Sequence, residues 1–343
     1  LLRVSQALTW TLSIPNRTSS RTCRNTAAAI FLWSVSLPAS FFARLETSGW
    51  SRSQKEVASR KRGCVNARKL KDLFGRDLSI VHNPTHGLIA DLVETVLQKF
   101  TNVNTEPSAF AFVHIANALA DPAVDKVVVI AHSQGTVIMG DVLDLLYYAA
   151  GEEYFDRTNM NPEDVKDFLS DSHGTMKSSD LTTAIENLRH HGARDLVTKK
   201  LELYMFANAA SKMCYLDEPS RRPHIESFAN EHDVVARLGC LAADEFHEEG
   251  LIRIDGPLFV RRGQYGHFMN AHYLRGLEMG EFELLRADSS TRCMRRSVHQ
   301  EVRCNPCGKN RGAVPGDQAQ PSRLLHYLRQ RAEAEQARRP SAG

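Results

Sequence analysis

The sequence predicts an α/β fold with a mainly parallel sheet covered by helices on both faces, a three-layer domain. Three observations lead there. Apolar runs of strand length alternate with helical periodicities from about residue 77 to residue 285. One of those runs, Lys-Val-Val-Val-Ile-Ala over 126–131, has no polar break inside it, as expected of a strand buried on both sides. The composition, 42% hydrophobic and 24% charged, is that of a globular protein, and no apolar run reaches the 18 residues of a membrane span.

Each element follows from its local pattern. Residues 77–82 form a short apolar run closed by Asn83-Pro84, a strand ending in a turn. Leu88, Leu92, Val96 and Phe100 recur every four residues, which predicts a helix over 87–100. Pro107 opens a second helical pattern that stops before Asp121-Pro122. After the strand at 126–131, helical spacing runs from Gln134 to about Ala149. Strands are expected at 201–206, 224–229 and 258–261, a helix from Val234 to Phe246, and a loop at Gly263–Gly266. Between 151 and 200 the periodicity weakens apart from a short helix at 181–188. That stretch reads as a surface insertion, an extra helix pair or a lid.

Charge sets the expected boundaries. Residues 1–76 hold 14 Lys and Arg against 3 acids, and residues 286–343 hold 12 against 5, leaving 17 against 32 in 77–285. An acidic middle repels phosphates, so nucleic acid is not the expected partner of the core. Residues 1–76 are expected to be a basic leader, either unstructured or a targeting or anchor segment built on the apolar run 27–43. Residues 286–343 are expected to be a disordered tail, with one helix-like piece at 321–338. Five of the seven cysteines lie in these flanks. No disulfide framework emerges, which favours an intracellular setting and leaves membrane association through the leader open. Cys293, His299, Cys304 and Cys307 contain a single CxxC half-site, too little for a zinc site, and no metal or cofactor is expected.

The chemistry gathers at strand ends. Ala131-His132-Ser133-Gln134-Gly135 follows the 126–131 strand and precedes a helix, the context of a G-x-S-x-G nucleophile elbow with Ala in place of the first Gly. A serine on such a turn is lifted above the sheet at a helix N-terminus, where backbone N–H groups meet negative charge. It needs a base, and the base needs an orienting carboxylate. Asp233, just past a strand, is the preferred acid and Glu231 its rival; a helix N-cap explains Asp233 equally well. His267 is the preferred base, on the reasoning that the imidazole hangs from a flexible loop, with His272 the alternative. An oxyanion hole would take one backbone donor from Gln134 and another from Asn83, with Thr85 the alternative, since Pro84 between them has no N–H.

With VVVI-AHSQG, LYMFANAA, ANEHDVVARLG and GHFMNAHYL, the segment from about 78 to 275 resembles the α/β-hydrolase superfamily. It is most similar to class-3-type lipases and serine esterases and to uncharacterised fungal α/β-hydrolase-like proteins. The resemblance implies a serine nucleophile at Ser133, an acid at Asp233 and a histidine at His267. It also implies hydrolysis of a small-molecule or lipid ester through an acyl-enzyme. Two other expectations compete: a non-catalytic binding module on the same fold, and nucleic-acid binding confined to the basic ends.

Overall fold

The computed structural model describes residues 27–34, 65–76, 78–83, 106–151, 162–171, 173, 176–210, 212–213, 222–242, 253–286 and 322–338 of the 343-residue chain. In chain order, β1 (Ala27–Ser34) is followed by helix α1 (65–74), β2 (Leu78–Asn83), α2 (Glu106–Ala120), β3 (Lys126–His132) and α3 (Gln134–Ala149). Then come α4 (Pro162–Ser170), α5 (Ser178–His190), α6 (Ala193–Lys200), β4 (Leu201–Phe206), β5 (Lys212–Met213), β6 (His224–Asn230) and α7 (Val234–Leu238). The last part holds β7 (Arg253–Ile254), β8 (Leu258–Arg261), a π-helical turn (Met269–Leu274) running into α8 (Arg275–Met279), β9 (Glu283–Arg286) and α9 (Arg323–Arg338). The fold is α/β with a mostly parallel sheet. Seven strands pair in the order β2-β1-β3-β4-β6-β8-β9, and β9 alone runs antiparallel. β5 and β7 form a separate two-stranded piece.

The pleat sorts strand residues into two cores, one per face, because successive side chains point to opposite sides. Val127, Val129 and Ala131 of β3, Leu203 and Met205 of β4 and Val260 of β8 pack with α2, α3 and α5. Ile130, Tyr204, Phe206, Phe228 and Phe259 point the other way, against Leu70 of α1, Tyr273, Leu274, Leu277 and Leu324 of α9. On this second face the rings of Phe206, Phe228 and Phe259 stack across β4, β6 and β8, with centroids 4.9 and 5.2 Å apart. Tyr273 stands edge-on to Phe206 at 5.8 Å. The ladder is a floor for the turn that carries Tyr273.

Several expectations are corrected. The boundary at residue 77 does not hold: residues 27–34 of the supposed leader form β1, which pairs with β2 on one side and β3 on the other. The cause is visible in the sequence. The run AAAIFLWS has strand length and apolar content, whereas the basic, Ser-rich surroundings that suggested a leader say nothing about pairing. The tail boundary at 286 also fails, since α9 docks on the sheet. Ser322 donates its hydroxyl to Glu226 at 2.6 Å, Arg323 its backbone N–H to Glu226 at 2.7 Å, and Tyr327 its hydroxyl to Glu202 at 2.8 Å.

Within 151–200, α5 buries Leu181, Ala184, Ile185 and Leu188 in the same core as β3, so it is part of the sheet's cover rather than a lid. The helix expected over 234–246 ends at Leu238, because Gly239 passes so close to β4's exit that a Cβ there would lie 1.9 Å from the Asn208 carbonyl oxygen. The expected helix at 87–100 and the Cys293–Cys307 group lie outside the described residues. Among the described residues no helix is long and apolar enough to cross a membrane.

Candidate functional site

The site lies at the carboxyl ends of β3, β6 and β8, the edge of a parallel sheet where ligands ordinarily bind. Ser133 caps α3 with φ 57° and ψ −126°, a conformation that costs a non-glycine residue on the order of 1–3 kcal/mol. The surroundings hold it there. Its N–H donates to the Phe206 carbonyl on β4 at 3.0 Å, and its carbonyl accepts the Thr136 N–H at 2.9 Å and the Thr136 hydroxyl at 2.6 Å. Thr136 in turn accepts from the Ala209 N–H at 2.9 Å, tying the elbow to the loop after β4. Ala131 and Gly135, the small residues flanking the elbow, are both buried.

Asp233 follows β6 after a two-residue turn and is 2% exposed. It does both things the sequence allowed. As N-cap of α7 it accepts the Val235 N–H at 2.9 Å, and it also takes the His267 Nδ1 at 2.9 and 3.1 Å. Tyr273 donates its hydroxyl to the same carboxylate at 2.6 Å. Burial acts to raise the Asp233 carboxyl, but the bonds to His267, Tyr273 and Val235 outweigh it and hold the group below the ordinary carboxylate range. The rival Glu231 points elsewhere, to the Arg262 guanidinium and the Gly263 N–H.

His267 completes the line: its Nε2 lies 2.8 Å from the Ser133 hydroxyl oxygen. An ionised carboxylate only accepts, so Nδ1 carries the proton and Nε2 is left to accept from the serine. The structure thus brings Ser133, His267 and Asp233 into one hydrogen-bonded chain, with the His267 side chain 14% exposed.

His272 is outside that chain. Its Nδ1 accepts the Phe268 N–H at 2.9 Å, and burial lowers its proton affinity. Its ring fills the space over Gly266, where φ is 99° and any Cβ would lie 2.6 Å from the imidazole. The idea of a freely hanging loop is corrected as well. Gly263 N–H is held by Glu231, the Gln264 carbonyl by the His232 N–H, and the Gly266 carbonyl by the Asn230 amide. The His267 carbonyl is held by His132, and Phe268 N–H by His272.

Of the two expected oxyanion donors, Gln134 begins α3 directly after Ser133 and is buried. Asn83 is displaced. It ends β2, which pairs with β1 and not with β3, so at about 4.8 Å per strand its backbone stands roughly 10 Å from that of β3.

Three residues of the site, His132, Asn230 and Tyr273, stand inside the quoted motifs but have no role assigned from sequence. A polar residue closing an apolar strand was the available signal for His132, which shares the face of Ile130. Nothing local marks Tyr273, whose hydroxyl meets Asp233 only through the fold. Comparisons with protein-family models, with curated proteins and with solved structures found no match for this chain.

Proposed function

We propose that the protein is a serine hydrolase that cleaves a carboxylic ester through an acyl-enzyme on Ser133, carried on a three-layer α/β-hydrolase-like domain. The observation that carries this reading is the relay from Asp233 through His267 to Ser133, with hydrogen bonds of 2.9 and 2.8 Å, ending on a serine held at φ 57° above a parallel sheet. The strained backbone at Ser133 opposes folding, and together with a buried, fully bonded carboxylate that orients the imidazole it supplies what an activated hydroxyl needs.

In the proposed reaction His267 Nε2 takes the Ser133 proton as the oxygen attacks the ester carbonyl. Asp233 holds the imidazole's orientation and offsets the positive charge it gains. The Gln134 N–H, at the start of α3, faces the developing oxyanion together with the positive end of that helix. His267 then returns the proton to the departing alkoxide. Water, deprotonated by the same imidazole, releases the acid. The route requires no cofactor. A small-molecule or lipid ester is the proposed substrate class.

A fluorophosphonate probe tests the proposal. Wild type is expected to be labelled on Ser133, Ser133→Ala not at all, and Asp233→Asn or His267→Ala at rates lower by about three to four orders of magnitude. Robust labelling of Ser133→Ala, or none of folded wild type, overturns the reading in favour of a non-catalytic module.

A further inference from the structure

His132 closes β3, immediately before Ser133, and is 3% exposed. Its ring lies against two residues of the site: His267, at 4.8 Å between centroids with a tilt of 34°, and Tyr273, edge-on at 5.8 Å. Its Nε2 is 2.7 Å from the His267 carbonyl oxygen. A carbonyl can only accept, so Nε2 bears the proton and Nδ1 is a bare acceptor. That Nδ1 is enclosed and has no hydrogen-bond partner among the described residues. Burial, reinforced by the neighbouring His267, pushes the imidazole down to about 3, so it is neutral near pH 7.

A buried acceptor without a partner opposes folding, and an apolar side chain of similar shape would avoid the penalty. What the histidine gains in exchange is a single bond to the backbone of the residue that carries the base. That bond differs from the other ties on the loop. Glu231, His232 and Asn230 fasten the loop to the end of β6, the strand that precedes Asp233. His272 fastens it to the turn that follows. Among these bonds, the one from His132 joins the loop to the strand that carries the nucleophile.

We propose that His132 is a positioning residue that sets the distance between base and nucleophile by anchoring the His267 backbone to β3. The proposal rests on the reading of Ser133, His267 and Asp233 as a hydrolytic centre. Losing the anchor leaves His267 bonded to Asp233 but loosens it from Ser133, and a misplacement of about 1 Å is enough to cost about 100-fold in rate.

Two variants of the full chain test this, His132→Leu, which removes the donor, and His132→Gln, whose amide reaches the Nε2 position. Each is assayed with a short-chain p-nitrophenyl ester, with the fluorophosphonate probe and by thermal unfolding. His132→Leu is expected to lower kcat and the labelling rate by about 10- to 100-fold, with KM within about twofold and the melting temperature unchanged or raised. His132→Gln is expected to recover most of the rate. Undiminished kcat in His132→Leu, or a loss that tracks a fall in stability and is not recovered by Gln, overturns the proposal.

Amide exchange separates this failure from that of the underlying reading, because it needs no activity. In His132→Leu the His267 and Phe268 amides are expected to exchange at least about tenfold faster, while Gly263, on the Glu231 tie, is unchanged. Unaltered exchange at His267 and Phe268 refutes the anchor even in a chain that the probe never labels. Unlabelled wild type with the expected exchange pattern refutes only the hydrolytic centre.

Discussion

At the scale of single residues, the Tyr273 hydroxyl decides how firmly the acid is held. It donates to Asp233 at 2.6 Å and accepts the Asn230 N–H at 3.1 Å, and all three groups are buried. Tyr273→Phe keeps the ring over Phe206 but strands an N–H and removes one donor from a carboxylate. The expected loss is about 2–3 kcal/mol at neutral pH. Its pH dependence has a definite sign. Because the bonds to Asp233 depress its proton affinity in the folded state, the stability they add is fully present above the ordinary carboxylate value. It is lost as pH falls through the lowered one. The variant has less depression to lose. Urea unfolding is therefore expected to show the largest gap from wild type near pH 7 and a smaller gap near pH 3. A gap that stays constant or widens in acid contradicts this account of the carboxylate.

At the scale of elements, α9 shows what the sequence could and could not disclose. The helix-like piece at 321–338 was readable, but its dock is polar as well as apolar: Leu324 enters the second core beside two buried carboxylates. Glu202 and Glu226 point from neighbouring strands toward the second core, each 1% exposed. Besides the bonds from Ser322, Arg323 and Tyr327, Glu202 meets Tyr204 at 2.9 Å and Lys126 at 3.2 Å, and Glu226 meets His224 at 2.7 Å. Glutamates in otherwise apolar strands were readable, but their partner more than ninety residues away was not, since no periodicity encodes a distant hydrogen bond.

The same division runs through the site. Ser133, Asp233 and His267 were legible because each follows a recognisable strand. His132, Asn230 and Tyr273 were not, because what they do depends on tertiary contact alone. Removing residues 322–343 takes the bonds of Ser322 and Arg323 from Glu226 and those of Arg323 and Tyr327 from Glu202, and a cost of about 3–5 kcal/mol is expected from losing several bonds to charged groups. Burial acts to raise the Glu202 carboxyl, but the Tyr327 hydroxyl, with Tyr204 and Lys126, holds it lowered in the full chain. The shortened chain loses part of that lowering, so its deficit against the full chain is expected to be largest near pH 7 and to shrink as pH falls toward about 3, which thermal unfolding across that range measures.

At the scale of the whole molecule, β1 determines what counts as the domain. β2 and β3 do not pair with each other; each pairs with β1, through the registers Ala29 to Leu78 and Ala27 to Lys126. A chain cut at 77–285, where the charge balance changes, keeps every residue of the proposed relay but loses this strand. One edge of β3 then exposes the backbone groups of the strand that ends at Ser133, and β2 has no neighbour. The second core also loses Leu70 and Leu324. Unpaired strand edges and exposed apolar faces lead to aggregation, so the fragment is expected to be insoluble or to lack a cooperative unfolding transition. A chain spanning 27–338 is expected to unfold cooperatively. Calorimetry of the two alongside the full chain makes the comparison. The strain at Ser133 sharpens it, because the bonds that hold φ positive there come from β4 and α3, both seated on β3. If the 77–285 fragment melts as a single transition at the temperature of the full chain, β1 is not integral to the sheet, and the bond from His132 to the His267 carbonyl would then have to hold at an open edge.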